Sequence, residues 1–329
     1  MYKEFDLNKT YILIPCKKNK YKSIEIVSGD IRIHKQTRNQ TEPINHIYII
    51  KNGKKHLFFR IENREVTFFL TSKCNQRCVM CPQLLNIDSI DNDLILTRIV
   101  ENLDYRILDS ICFTGGEPLL KESFIEQIVT TAPKNILITI LTNGTIIPSK
   151  KILKSKRVKL CIPLYAPNDK IHNYMTGSSS FYKVIENLMK ISQYETLIEL
   201  RFVITKINTV VISEYARFVW RNLPFVQDVA FMGIELTAEA KKNKDELWCN
   251  PQEYITELQK AIDYLDSFGV TTWIYNLPYC LFDERYRKYL VKSISSWKIK
   301  YLKKCDSCDL KSDCGGMFFS DLSEFEKIL

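Results

Sequence analysis

The chain has no apolar run close to the roughly 18 residues that a membrane span needs. Its start, MYKEFDLNKT, has no basic stretch followed by an apolar one, so no secretory signal is evident. Only four histidines are present, His34, His46, His56 and His172, and they do not cluster. No internal repeat or low-complexity tract stands out. No basic helix with interleaved aromatic residues points to RNA. These absences argue against membrane and nucleic-acid partners. The 45% hydrophobic and 26% charged residues are ordinary for a globular enzyme, and 329 residues leave ample sequence for a core. The expected location is the cytoplasm, where thiols stay reduced.

Cysteine and positive charge are what the chain has in quantity. Three of the eleven cysteines fall in residues 74–81 and three in residues 305–314. In a reduced compartment such groups point to metal rather than to disulfides. The formal charge of +9 is either a solvated basic surface or a surface for an acidic redox partner, an acidic peptide segment or nucleic acid.

Three regions are expected: residues 1–65, 66–270 and 271–329. The first is β-rich. YKSIEIVSGDIRIHK alternates apolar and polar side chains around a Ser-Gly-Asp turn, and Asn52-Gly53 separates two apolar runs, a strong hairpin signal. This subdomain is expected to serve as a platform or dimerisation surface, or to capture a peptide by strand addition. From residue 66 short apolar runs alternate with amphipathic ones. Strands are expected at EVTFFLT, SICFTGG, NILITILTNG, RVKLCIPLY, TLIELRFVITKIN and VQDVAFMGIE, with helices over 91–104, 121–131, 148–154, SFYKVIENLMKISQY, VISEYARFVWRNL and PQEYITELQKAIDYLDSFG. Six βα units imply a parallel sheet, an α/β partial barrel of the TIM type, with its chemistry at the C-terminal strand ends. VTTWIYNL adds a strand, followed by a helix and cysteine-rich loops.

Cys74, Cys78 and Cys81 lie in the loop after the first barrel strand, in TSKCNQRCVMCPQ. A structural zinc site needs a fourth ligand, and none lies nearby, although a remote one is left open. A catalytic cysteine would not need two others so close. Three thiolates suit three irons of a 4Fe–4S cube whose fourth iron stays open for a non-protein ligand. In FTGGEPLL, Gly115 and Gly116 let backbone approach a ligand, Glu117 offers a carboxylate to an ammonium, and Pro118 stiffens the turn. LTNG places Asn143 and Gly144 at the third strand end.

The Cx3Cx2C spacing, followed by GGEP at the end of the second strand, resembles the radical S-adenosylmethionine (SAM) superfamily. The resemblance implies that SAM chelates the open iron through its amino and carboxylate groups. An electron from the cluster then breaks the sulfonium bond to the 5′ carbon, and the 5′-deoxyadenosyl radical takes a hydrogen atom from substrate. Cys74, Cys78 and Cys81 would hold the catalytic cluster. Met80 replaces the usual aromatic residue, with its backbone expected near the adenine. Asn143 and Gly144 would lie beside SAM. Arg201, Asn208, Met232, Gly233 and Glu235 stand at later strand ends and could complete that site, although Met232 reads equally as core. Arg201 in an apolar strand is costly unless paired. Tyr165 either lines the substrate space or caps the fourth strand. His172, in DKIHNYMTG, resembles part of a loop before the fourth helix, ordering that loop or facing substrate. Cys16, Cys112 and Cys161 read as buried small hydrophobes.

In the tail, Cys305, Cys308 and Cys314 have the spacing Cx2Cx5C, and Cys280 lies upstream. Four thiolates close a cluster without an open iron. A zinc knuckle uses the same four, and Cys249 is an alternative to Cys280. The pattern resembles the auxiliary-cluster regions, SPASM and twitch, of peptide-modifying radical SAM enzymes. Phe318 stands where the longer version has a further cysteine, so one auxiliary 4Fe–4S cluster is expected. CVMCPQ, IPLYAPNDKIHNYMTG, LPFVQDVAFMGIELTAEAKKNKDELWCNP and SISSWKIKYLKKCDSC resemble the type C radical SAM maturases of His-Xaa-Ser systems (HxsC). That resemblance implies a ribosomally made precursor peptide, a paired radical SAM protein, a flavodoxin- or ferredoxin-type electron donor, and a side-chain change such as a cross-link. The competing expectations are a radical SAM enzyme for a small molecule or RNA, and a zinc-stabilised binding protein.

Overall fold

The structure is a computed structural model that describes residues 5–6, 8–35, 45–83 and 93–329. It divides into two compact units. The first draws on residues 1–74, 85–141 and 148–159, the second on 75–84, 142–147 and 160–329.

In the first unit, β1 (Tyr11–Cys16), β2 (Lys20–Glu25), β3 (Ile31–Lys35), β4 (Ile47–Lys51) and β5 (Lys54–Phe59) form an antiparallel sheet in the order β3-β2-β1-β4-β5. The expected Asn52-Gly53 hairpin is present, with Lys51 opposite Lys54. Both turn residues have positive φ, +51° and +66°, the conformation that Asn-Gly tolerates. A β1–β2 hairpin at Lys17–Asn19 was not anticipated, because its left-handed residues are Lys18 and Asn19 and no glycine marks it. Leu13, Tyr21, Tyr48 and Ile50 form its core with Phe5.

The same unit contains β6 (Ile61–Glu62), β7 (Glu65–Phe69), β8 (Ser110–Thr114) and β9 (Leu137–Leu141). β6 pairs antiparallel with β7, and β7, β8 and β9 run parallel. Helices α1 (Asp93–Asn102), α2 (Glu122–Thr131) and α3 (Lys150–Leu153) accompany them. The expected start of the first helix, at residues 91–92, lies outside the described residues. Phe68, Phe113 and Phe124 meet within 5.9–6.2 Å between ring centres, an aromatic seam that seats α2 on the sheet.

The second unit holds most of β10 (Val158–Pro163), then β11 (Leu197–Val203), β12 (Asp228–Met232), β13 (Thr271–Tyr275) and β14 (Leu290–Val291). β11 to β14 pair in parallel, so the α/β class and the parallel sheet hold. Helices α4 (Asp169–Thr176), α5 (Phe181–Ile191), α6 (Ile212–Asn222), α7 (Ala238–Lys242), α8 (Lys244–Leu247) and α9 (Pro251–Ser267) connect them. The tail has a short antiparallel ribbon of β15 (Ile299–Lys300) and β16 (Met317–Phe318), and helix α10 (Leu322–Glu326). Among the described residues no helix is long and apolar enough to cross a membrane.

Two local expectations are corrected. DKIHNYMTG is not a loop. Asn168 caps α4 by accepting from Ile171 N–H at 3.0 Å, and Gly177 ends it at φ +61°, the standard start and stop chemistry of a helix. The helix expected after β13 is a 3-10 helix over Glu284–Tyr289.

Asn208 ties strand ends together. Fully buried, it accepts from Thr205 N–H at 2.8 Å and donates to the carbonyls of Val203 at 2.9 Å and Tyr165 at 3.1 Å. Its amide is thus committed to the backbone beyond β10 and β11. Asn208→Ala would orphan several buried polar groups and should destabilise the fold by about 2 kcal/mol, read as a lower urea midpoint; an unchanged midpoint would show that the tie is dispensable.

Candidate active site

The first cysteine belongs to the first unit, where the GGEP turn fixes the backbone leading to it. Leu70 N–H donates to Thr114 O at 2.9 Å, Gly116 N–H to Thr71 O at 2.7 Å, and Glu117 N–H to Lys73 O at 2.8 Å. The glycines are required by this approach. A Cβ on Gly115, at φ +142°, would sit 2.4 Å from Thr71 O, and one on Gly116 would sit 2.1 Å from Lys73 O and 3.1 Å from Cys74 Cβ. The backbone they visibly admit is the chain's own, on the approach to Cys74. Glu117 is fully buried and caps the next turn, its Oε1 accepting from Leu119 N–H at 3.0 Å, with Pro118 at the first position of that turn.

Cys78 and Cys81 belong to the second unit, where two helix ends hold their loop. At the C-terminal end of α4, Met175 O and Thr176 O accept from Val79 N–H and Arg77 N–H at 3.0 and 3.1 Å. A Cβ on Gly177 would sit 2.4 Å from Arg77 O. From α7 and its flanks, Glu239 N–H donates to Cys81 O at 3.2 Å, Asn243 Nδ2 to Val79 O at 2.8 Å, and Thr237 Oγ1 to Pro82 O at 3.2 Å. Met80 is buried in a core with Tyr165, Met175, Ile234, Leu236 and Leu247, so its side chain serves as an anchor.

The LTNG turn joins this half. Asn143 Nδ2 donates to Asn75 Oδ1 at 2.7 Å, Thr145 N–H donates to Asn143 Oδ1 at 2.9 Å, and Asn75 Nδ2 donates to Thr145 Oγ1 at 2.8 Å. Gly144 has φ +76°, and its carbonyl accepts from the fully buried Asn187 Nδ2 at 2.8 Å. Asn75 and Asn187 were missed from the sequence. The signal for Asn187 was a polar residue on the apolar stripe of α5, beside Val184, Leu188 and Ile191.

Arg201 is paired, as its strand position required. Its Nε lies 2.7 Å from Oε1 of the buried Glu199, whose Oε2 accepts from Tyr275 O–H at 3.2 Å. Burial acts against the Arg201 charge, but Cys161, Glu199 and Tyr275 outweigh it and raise its pKa. Cys161 is buried as expected, yet it faces this charged group rather than apolar neighbours alone. Glu199 and Tyr275 were also missed; Glu199 and Arg201, two apart on one strand, share a face. Met232 is half-buried and its carbonyl accepts from Ile204 N–H at 2.8 Å. Gly233 lets backbone cross, since a Cβ there would sit 2.8 Å from Asn276 O. Glu235 binds Lys298 Nζ at 2.8 and 2.9 Å.

His172 does not face an open substrate space. It is fully buried, accepts from Tyr165 N–H at Nδ1, 3.4 Å away, and so carries its proton at Nε2, 3.3 Å from Ser180 Oγ. Tyr165 is buried beside it, with ring centres 5.8 Å apart.

All eleven cysteines are thiols outside any disulfide. In the tail, Cys314 Sγ accepts from Tyr279 N–H at 3.4 Å and Gly316 N–H at 3.3 Å. Cys280 lies within the electrostatic reach of Cys314 and Cys305, which push its pKa up together with the larger effect of burial. Cys280, Cys305 and Cys314 are therefore neighbours, and Cys308 follows on the same turn, its N–H donating to Cys305 O at 3.2 Å. Cys249 is buried elsewhere, and burial pushes its thiol up to about 12, poor chemistry for a thiolate ligand. Cys16 is only half-buried. Among the described residues no three His, Cys, Asp or Glu side chains converge on a single ion. The donors present are thiols, half-buried in the first loop, a donor set that iron–sulfur clusters use.

A family model of the radical SAM superfamily matches residues 68–214, from β7 into α6. Over that stretch, just under half of the chain, the protein is a radical SAM enzyme. The enzyme is similar to an uncharacterised protein of Methanocaldococcus jannaschii, 28% identical over 227 residues, which cover 65% of this chain and 73% of that one. It is also 28% identical over 173 residues to the GTP 3′,8-cyclase of Clostridium acetobutylicum, half of each chain. The enzyme thus spans about half the length of this curated relative. Among solved structures, Streptococcus suis SuiB bound to S-adenosylmethionine superposes with a TM-score of 0.53 at 16% identity, over 79% of this chain and 74% of that one. At this identity the likeness establishes the fold. The superfamily implies a 4Fe–4S cluster and SAM as cofactors.

Two predictions follow from this packing. Gly116→Ala should displace the Lys73–Cys74 backbone and lower the iron bound per chain in anaerobic reconstitution; full iron content would show that the close approach is unimportant. Burial pushes the His172 imidazole down to about 4, below the ordinary 6.5 of an unfolded chain. The unfolded state therefore binds the proton first as pH falls. Stability from this group is fully present above about pH 6.5 and is lost progressively toward pH 4. Between pH 7 and pH 5 the loss should be about 2 kcal/mol, seen as a lower urea midpoint that His172→Gln makes less dependent on pH.

Proposed function

We propose that this radical SAM enzyme modifies a ribosomally made peptide in a His-Xaa-Ser type maturation system, as a type C maturase. The observation that carries the reading is the gathered thiol group of the tail, outside the 68–214 stretch that the family model matches. In this reading Cys74, Cys78 and Cys81 hold the catalytic cluster, and Cys280, Cys305, Cys308 and Cys314 hold one auxiliary cluster. The small β-rich region before residue 66 and the tail after residue 270 flank the radical SAM domain. The likeness of fold to SuiB, a protein whose structure has been solved with the precursor peptide SuiA, is compatible with a peptide substrate. The partners are a precursor peptide, an electron donor of the flavodoxin or ferredoxin type and a paired radical SAM protein, all in the cytoplasm.

When bound, the cluster and SAM supply a 5′-deoxyadenosyl radical that removes a hydrogen atom from substrate. The chain's own part is to hold and orient. Gly115 and Gly116 fix the backbone that presents Cys74, and the ends of α4 and α7 fix Cys78 and Cys81. Glu117 offers a carboxylate for the SAM ammonium, beside the Pro118 turn that fixes it. Asn143, Gly144, Arg201, Met232, Gly233 and the Met80 backbone complete the contacts. Arg201, steered by Glu199 through its Nε, would meet a carboxylate with its guanidinium already oriented.

A second reading is favoured by the similarity to GTP 3′,8-cyclases, namely a small-molecule substrate. Incubation with SAM and reductant, with a His-Xaa-Ser repeat peptide in one arm and GTP in the other, separates the two. A change in peptide mass with GTP unaltered is expected; conversion of GTP with the peptide unaltered would replace the first reading by the second.

Reconstitution should give about eight irons per chain, four per cluster. Cys74→Ala/Cys78→Ala/Cys81→Ala should abolish 5′-deoxyadenosine formation and leave about four. Cys305→Ala/Cys308→Ala should also leave about four irons, with SAM cleavage retained. Zinc without iron in the wild-type tail would sink the auxiliary cluster.

A further inference from the structure

The geometry points to the tail ribbon as the docking surface for an acidic one-electron carrier protein. The inference deepens the proposed function, since it rests on the tail thiols being cluster ligands. Between Cys280 and Cys314 there are nine Lys and Arg residues against five Asp and Glu. That stretch, about a tenth of the chain, carries nearly half of the +9 net charge. The segment Lys298–Lys304 has four lysines and no carboxylate.

These charges are displayed in a particular way. Lys298 is spent on Glu235. Lys300, Lys303 and Lys304 are exposed, and none has a carboxylate partner among the described residues. Two aromatic side chains stand with them, Trp297 at 53% and Phe319 at 68% exposure. Backbone pairing fixes the arrangement. Ile299 lies opposite Phe318, Phe319 N–H donates to Lys298 O at 3.0 Å, and Lys300 Nζ lies 6.0 Å from the Phe319 ring centre. Exposed aromatic groups ringed by unpaired charge of one sign suit a transient protein partner of opposite sign.

The thiols identify the kind of partner. Cys280 and Cys308 are exposed, and Cys305 and Cys314 half-buried. Lys303 and Lys304 directly precede Cys305, and Tyr301 O–H donates to Cys314 O at 3.0 Å. A cluster held by Cys308 and Cys280 would therefore lie at the surface, inside the basic patch, where an external carrier can reach it. Asp306, Asp309 and Asp313 stand among these cysteines. A continuous phosphate backbone would be repelled by those carboxylates, whereas a discrete acidic patch on a protein can avoid them. In the encounter one electron leaves the reduced carrier and enters a cluster of the enzyme. The carrier is oxidised by one electron and the cluster reduced by one, with no bond made or broken and no proton moved.

The test is a binding titration of the reconstituted enzyme with a flavodoxin, an acidic flavoprotein that carries one electron at a time. The wild type should bind more weakly as salt rises from low to physiological strength, where screening acts over about 8 Å. Lys300→Glu/Lys303→Glu/Lys304→Glu should raise Kd by ~10-fold or more and flatten the salt dependence. Lys300→Arg/Lys303→Arg/Lys304→Arg should restore both. SAM cleavage driven by dithionite should be equal in all three proteins, which checks that the variants fold. If the reversal variant fails that check, Lys303→Glu alone takes its place, with a Kd rise of several-fold expected. An unchanged Kd in the charge-reversed protein overturns the docking surface. Tighter binding of an oligoribonucleotide than of flavodoxin through the same lysines overturns the choice of partner. Iron is counted on the same preparations. About four irons per chain would overturn the tail cluster and the electron carrier with it, whereas about eight irons with no lysine dependence would overturn the surface alone.

Discussion

The close approach of backbone to the cysteine loop is the constraint on which the rest depends. A loop that presents three thiols has many conformations, and fixing each residue costs roughly 1–2 kcal/mol. Here that entropy is offset by hydrogen bonds from the main chain of neighbouring elements. In the first unit, Gly116 and Glu117 donate to Thr71 O and Lys73 O. In the second, the end of α4 and the start of α7 bond residues 77–81. Such contacts demand glycine where a side chain would intrude, at Gly115, Gly116 and Gly177.

The order of the loop is passed on through buried polar residues. Asn208 joins the ends of β10 and β11, and Tyr165 N–H is held by His172, which reaches Ser180. Asn187 holds the carbonyl of Gly144. Each of these groups is fully buried or nearly so, and a buried amide or imidazole keeps its place because losing a partner there costs more than at the surface. Asn208 and His172 sit where contacts with cofactor or substrate are expected, yet their hydrogen bonds go to the fold. They position residues whose backbone lines the strand ends.

Much of this was legible in the sequence. The strands alternate with amphipathic helices, so the parallel α/β sheet could be read from period alone, and Cys-rich spacing located the first loop. The tail cysteines were legible as a group because Cx2Cx5C is compact. What escaped was longer in range. That GGEP packs against residues 71–74 depends on strand register, which spacing does not reveal. α4 was missed because DKIHNYMTG is short and polar, although Asn168 and Gly177 mark both its ends. Asn75 shows no pattern at all, since its role exists only beside Asn143 and Thr145.

The charged group on β11 and β13 shows how the strand face was specified. Glu199, Arg201 and Tyr275 lie at positions where an apolar side chain would have packed without cost. Keeping an ion pair there is costly unless each partner is held. Glu199 is satisfied from two sides, by Arg201 Nε and by Tyr275 O–H, so the carboxylate is fixed before any ligand arrives. Arg201 is then oriented through its Nε edge. A guanidinium held in this way loses little freedom when it meets an anion, which is the condition under which a bidentate contact is strongest. The pairing is better understood as preorganisation of Arg201 than as a contribution to stability, because a buried ion pair is weak evidence for the latter. Cys161, drawn into the same group, then stands on the polar face of its strand, a position that its apolar neighbours in the sequence concealed.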